Sequence, residues 1–114
     1  MKINKRIKLF FLRRRMLKST FFDKDWYLKQ YPEVQQEHID PVRHYIERGW
    51  KEGKNPSEKF DTNKYLFSYP DIRRSNKNPL KHYLRCGKKE GRICFPVGQA
   101  PVELDEVEKL EEVL

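Results

Sequence analysis

The sequence predicts an all-α fold of two tandem helical-hairpin repeats, flanked by a basic and an acidic amphipathic helix. Three observations carry this. The chain matches itself at an offset of 38 residues, Pro and Gly fall at the same place in both copies, and apolar residues recur at spacings of three and four.

Read in order, residues 1–20 form the basic segment. Ile3, Ile7, Phe10, Phe11 and Leu17 fall close to one helical face, with Lys5, Arg6, Arg13 and Lys18 largely elsewhere. Repeat 1 covers 21–59 and repeat 2 covers 60–97. Phe22-Asp23 aligns with Phe60-Asp61, Tyr27-Leu28 with Tyr65-Leu66, and Tyr31-Pro32 with Tyr69-Pro70. Pro41 aligns with Pro79, His44-Tyr45 with His82-Tyr83, Gly49 with Gly87, and Lys51-Glu52-Gly53 with Lys89-Glu90-Gly91.

Asp23 and Asp61 are placed as N-caps of a first helix, because a short carboxylate accepts from the free N–H groups of the next turn. Pro32 and Pro70 disfavour helix at the residue before them, so that helix ends there or resumes after a break. Asp40-Pro41 and Asn78-Pro79 open a second helix, and Gly49 and Gly87 suit its C-terminal end. Val42, Tyr45 and Ile46, like Leu80, Tyr83 and Leu84, mark its buried stripe. Trp26, Tyr27 and Tyr31, with Tyr65 and Tyr69, are expected to fill the join between the units. In 98–114, a linker with Gly98 and Pro101 leads to an acidic helix in which Leu104, Val107, Leu110 and Leu114 recur among six acids.

Composition narrows the function. A chain of 114 residues with 37% hydrophobic content supports one modest core, and 13% aromatic content makes that core aromatic. Residues 1–18 carry eight Lys or Arg and no acid, so that end attracts polyanions. The apolar run Leu9–Leu12 is too short for a signal-peptide core, and no stretch reaches the length of a membrane span. A cytoplasmic protein with reduced Cys86 and Cys94 is expected, peripheral at the inner membrane where the basic helix attaches.

The order Phe-Asp, Trp-Tyr-Leu, Tyr-Pro-Glu-Val, Asp-Pro-Val, His-Tyr-Ile and Gly-Trp-Lys-Glu-Gly-Lys-Asn-Pro-Ser, followed by its second copy, resembles a known repeat. It is similar to the paired repeats that accompany bacterial cell-surface polysaccharide glycosyltransferases, including those of the rhamnan-synthesis type. The resemblance covers residues 21–95. It implies a module beside a catalytic domain, with a glycosyltransferase as protein partner and a glycan as a further ligand. No nucleotide-sugar-binding domain follows Phe95, so a free-standing repeat protein and the front piece of a split or truncated transferase both remain open.

Candidate chemistry is sparse. Asp23-Lys24-Asp25 spells an Asp-x-Asp metal motif, yet its counterpart Asp61-Thr62-Asn63 keeps only the capping carboxylate, which favours capping. His44 and His82 are expected as hydrogen-bonded packing residues, having no companion Cys or carboxylate at ligand spacing. Glu52 and Glu90 are expected to bond the backbone or a nearby Lys or Arg. Cys86 and Cys94 occupy non-equivalent repeat positions. No catalytic residue, metal, cofactor or small-molecule substrate is therefore assigned.

The basic helix carries the one binding expectation. Lys5, Arg6, Lys8, Arg13, Arg14, Arg15 and Lys18 would meet anionic lipid while Phe10 and Phe11 enter the interface. Nucleic acid is the alternative polyanion, less favoured because the repeat core claims the aromatics that would stack on bases.

Overall fold

A computed structural model describes residues 3–98. The acidic helix expected around Leu104–Leu114 lies outside the described residues. Within them the fold is all-α. Helix α1 spans Lys5–Lys18, and it starts where the Asn4 side chain accepts from the Ile7 N–H at 3.0 Å. It ends at Ser19, whose hydroxyl donates to the Met16 carbonyl, before Thr20 turns the chain at φ 65°.

The first unit follows as α2 (Lys24–Gln30), α3 (Pro32–Gln36) and α4 (Pro41–His44), with α4 running on as a π-helical turn over Tyr45–Gly49. The second unit is α5 (Thr62–Ser68), α6 (Pro70–Ser75) and α7 (Pro79–His82), with its π-helical turn over Tyr83–Gly87. Every helix start in the second unit lies 38 residues after its counterpart.

The prolines explain the first break in each unit. Tyr31 and Tyr69 sit at φ −127° and −124°, outside the helical region that a following proline disfavours, and a short helix resumes at the proline itself. The expected caps are present. Asp23, Asp61, Asp40 and Asn78 each accept from a backbone N–H in the first turn that follows.

Gly49 and Gly87 close the second helix for a different reason from the one expected. Neither has positive φ, so neither is a left-handed cap. Each stands where a Cβ would run into a tyrosine hydroxyl, Tyr27 in the first unit and Tyr65 in the second. Gly53 and Gly91, in the turns that follow, do take left-handed conformations, at φ 80° and 75°.

The core is aromatic, as composition predicts, but the rings are arranged differently. Tyr27 packs on Phe22, Tyr31 and Tyr45, all within the first unit. Tyr65 packs on Phe60, Tyr69 and Tyr83, all within the second. These rings fill each unit rather than the join, because α2 lies against its own α4, and α5 against its own α7. Contacts between units come from other residues. The Tyr45 hydroxyl meets Thr62 Oγ at 3.0 Å, and the Phe21 ring meets Tyr83 edge-on at 5.3 Å.

Each unit also closes on itself through its backbone. The Asp23 N–H donates to the Pro56 carbonyl at 3.0 Å, and the Asp61 N–H to that of Phe95 at 2.7 Å. The Tyr31 and Tyr69 hydroxyls accept from the N–H groups of Asn55 and Ile93. These bonds satisfy polar groups at the edge of a core that cannot offer them water.

Helix α1 lies across α4 and α7 together. Met16 is fully buried, Leu12 and Leu17 pack beside it, and Arg13 makes a forked pair with Asp40 at 2.8 and 3.1 Å. Burying a methionine of this kind contributes roughly 2 kcal/mol. Two sequence expectations change here. Leu17 belongs to the inward face, and Arg13 holds the Asp40 cap rather than facing a polyanion. The guanidinium beside it keeps the Asp40 carboxyl below its ordinary range.

Candidate functional site

At 100° per residue, Leu9, Leu12 and Met16 fall on one side of α1, and Ile7, Phe10 and Phe11 centre roughly 180° away, with Ile3 just before the helix begins. The helix therefore has two apolar faces. The first sits on the repeats. The second is open, with Phe10 and Phe11 58% and 57% exposed and their rings edge-on at 5.5 Å. Exposed Lys5, Arg6, Lys8, Arg14, Arg15 and Lys18 surround it, and none forms an ion pair with a described residue. Arg14 points along the same side as the open apolar face, by its position in the helical turn.

Beside α1 run two adjoining cavities, of about 740 and 590 Å³, that share Leu12, Ile46, Lys81 and Arg85. The larger adds Lys8 and Arg15 from α1, and the smaller adds Trp50, Lys51, Lys77 and Asn78 between the units. The result is a groove with apolar floor residues and cationic walls. Asn78 is 8% exposed, and its Nδ2 is buried without a hydrogen-bond partner among the described residues.

The two histidines are held by core tyrosines. Tyr27 Oη lies 2.7 Å from His44 Nδ1, and Tyr65 Oη 2.8 Å from His82 Nδ1. Burial pushes both tyrosine hydroxyls up and both imidazoles down, so at neutral pH these are neutral hydrogen-bonded pairs. Packing residues is what the sequence led us to expect at these positions. Asp23 likewise serves as a cap, accepting from the Trp26 N–H at 3.0 Å, as Asp61 does from Lys64. Glu52 pairs with Lys54, and Glu90 with Arg92.

One expectation about His82 fails. The sequence reading gave it no companion ligand, but one imidazole nitrogen, Cys86 Sγ and a Glu90 carboxylate oxygen all lie within 4.8 Å of one another. The missed signal is a His-x3-Cys-x3-Glu spacing, which sets three donors along one side of a helix and the turn after it. The first unit has Arg48 where the second has Cys86, so comparing the units residue by residue hid the cluster.

Among the described residues, no helix is long and apolar enough to cross a membrane. No protein-family model, curated protein or solved structure matches the chain.

Proposed function

We propose that this chain is a non-catalytic interaction module of bacterial cell-surface polysaccharide synthesis, held at the inner face of the membrane by the outer side of α1. The membrane part is supported by one observation above the rest. Phe10 and Phe11 are exposed amid cations that form no ion pair with a described residue, on a helix whose opposite side is already committed to the core. A nucleic-acid arm needs the cations but not the rings. An interfacial helix needs both, because cations draw it to anionic lipid and apolar side chains enter the acyl boundary.

The pathway rests on the resemblance of residues 21–95 to glycosyltransferase-associated repeats. The groove between the units gives that reading a surface, with Trp50 and Asn78 beside cationic walls for a protein or glycan partner. The non-catalytic reading draws on the roles of the polar groups. The Nδ1 atoms of His44 and His82 are taken up by tyrosines, and the Asp23 and Asp61 carboxylates by backbone N–H groups.

The test is co-sedimentation of the full chain with anionic and neutral vesicles. Removing α1 would take Leu12 and Met16 out of the core and uncover α4 and α7, so the informative variant is the double change Phe10→Ser with Phe11→Ser. Binding to anionic vesicles should fall at least tenfold in that variant, with circular dichroism unchanged and little competition from DNA. Binding that survives the change, or that DNA abolishes, would replace the membrane with nucleic acid as the polyanion.

A further inference from the structure

We infer that His82, Cys86 and Glu90 form a binding site for one divalent first-row transition ion of zinc-like character. The site lies in the second unit and uses no residue of α1, so its test reads out separately from membrane attachment.

The geometry leaves one donor atom of each side chain available. His82 Nδ1 is engaged by Tyr65 Oη, which leaves Nε2 directed to Glu90 Oε1 at 3.8 Å. Glu90 Oε2 accepts from Arg92 Nε at 2.6 Å, which leaves Oε1 available. Arg92 is fixed in turn by a forked pair with Asp71 at 2.8 and 3.0 Å. Cys86 is a free, half-buried thiol within the same 4.8 Å cluster.

Tetrahedral zinc bonds of about 2.0–2.3 Å put neighbouring donor atoms roughly 3.3–3.7 Å apart, so small side-chain rotations bring the three into range. With Nε2 on the ion, Nδ1 carries the proton and donates to Tyr65 Oη. That is the outer-shell arrangement that fixes a ligating imidazole's tautomer. Burial already favours the neutral ring that ligation requires. Imidazole, thiolate and carboxylate together suit a borderline ion and are poorly matched to Ca²⁺ or Mg²⁺.

Three protein ligands leave the fourth position to water or to an oxygen of another molecule. His82 and Cys86 also line the 590 Å³ cavity between the units, which supplies the way in. The ion would tie the π-helical turn that carries Cys86 to the segment after it that carries Glu90.

The experiment is titration of the reduced full chain with Zn²⁺ in competition with a chromophoric chelator, paired with Co²⁺ absorption spectra. One Zn²⁺ per chain is expected, with a thiolate-to-cobalt charge-transfer band. Cys86→Ser should remove the band and weaken Zn²⁺ binding at least tenfold, while Cys94→Ser leaves both unchanged. Glu90→Gln, at an exposed position, should also weaken binding tenfold or more and gives a second loss if a Cys86 variant misfolds. Absence of stoichiometric Zn²⁺ binding, or binding that persists unchanged in folded Cys86→Ser or Glu90→Gln, would overturn the assignment.

Discussion

The two units share helix starts, caps and a tyrosine–histidine pair, yet they differ at the ends of their second helices. In the first unit Tyr45 is fully buried, its hydroxyl bonded to Thr62 of the unit that follows. Its counterpart Tyr83 is 7% exposed and lies against Phe21 and Phe60. His44 is 4% exposed, while His82 opens toward a cavity beside Cys86. Duplication thus produced one enclosed copy and one copy with accessible polar groups. Local sequence adds to this, since Cys86 stands in the open copy where the enclosed one has Arg48.

The strongest way to break that comparison is to crowd both tyrosine–histidine pairs in the same manner. Gly49→Ala forces a methyl group against the Tyr27 hydroxyl and His44, and Gly87→Ala does so against Tyr65 and His82. Overpacking of this kind costs about 1–3 kcal/mol. We expect Gly49→Ala at the upper end and Gly87→Ala at the lower, because the second unit has an open side into which it can relax. Urea unfolding of both variants measures this, and equal losses would mean that the second unit is as confined as the first.

Removing a hydroxyl probes the same contrast more gently. Tyr45→Phe deletes the bond to Thr62 inside the core and should cost about 1 kcal/mol. Tyr83→Phe removes a hydroxyl bonded to the Cys94 thiol, a weaker partner than a hydroxyl, and should cost less than about 0.5 kcal/mol. Thermal melts of the two single variants, referred to the same wild-type curve, separate these values.

The smallest effect is a pH slope. Both imidazoles are held below their ordinary value, mainly by burial, so between the folded and unfolded values the unfolded chain binds more protons. The corresponding stability is complete above the unfolded histidine value of about 6.5 and is lost as pH falls through it toward the folded values. His44→Gln should flatten the dependence of the urea midpoint between pH 7.5 and 5 more than His82→Gln does. Carboxylates oppose part of the shift at both rings, Glu52 and Glu37 at His44 and Glu90 and Asp71 at His82, so the ranking rests on His44 being the more enclosed ring. A greater flattening from His82→Gln would reverse the ranking.

Much of the fold was legible because its signals are local. Asp23, Asp61, Asp40 and Asn78 announce caps, Pro32 and Pro70 announce breaks, and each acts within a few residues of where it stands. What was not legible depends on three-dimensional closure. Gly49 reads as a helix stop, but its actual constraint comes from Tyr27, far along the chain. Leu17 and Phe10 look like members of one stripe until α1 acquires a second neighbour and divides them. Arg13 resembles the other cations of its run until Asp40 claims it. The His82 cluster escaped because its Cys has no counterpart in the first unit, although all three residues share a helical spacing.

The way α1 lies across α4 and α7 has a consequence for how such an array can grow. Fourteen residues give α1 a length of about 21 Å, and packed helices stand about 8–10 Å apart, so this helix seats two second helices and no more. It acts as a ruler. A third unit spliced in between the present two would separate α4 from α7 and leave one of them uncovered, exposing Val42 or Leu80 to water. Lengthening the array therefore requires lengthening α1 by a matching number of turns, which couples the length of this helix to the number of units it covers.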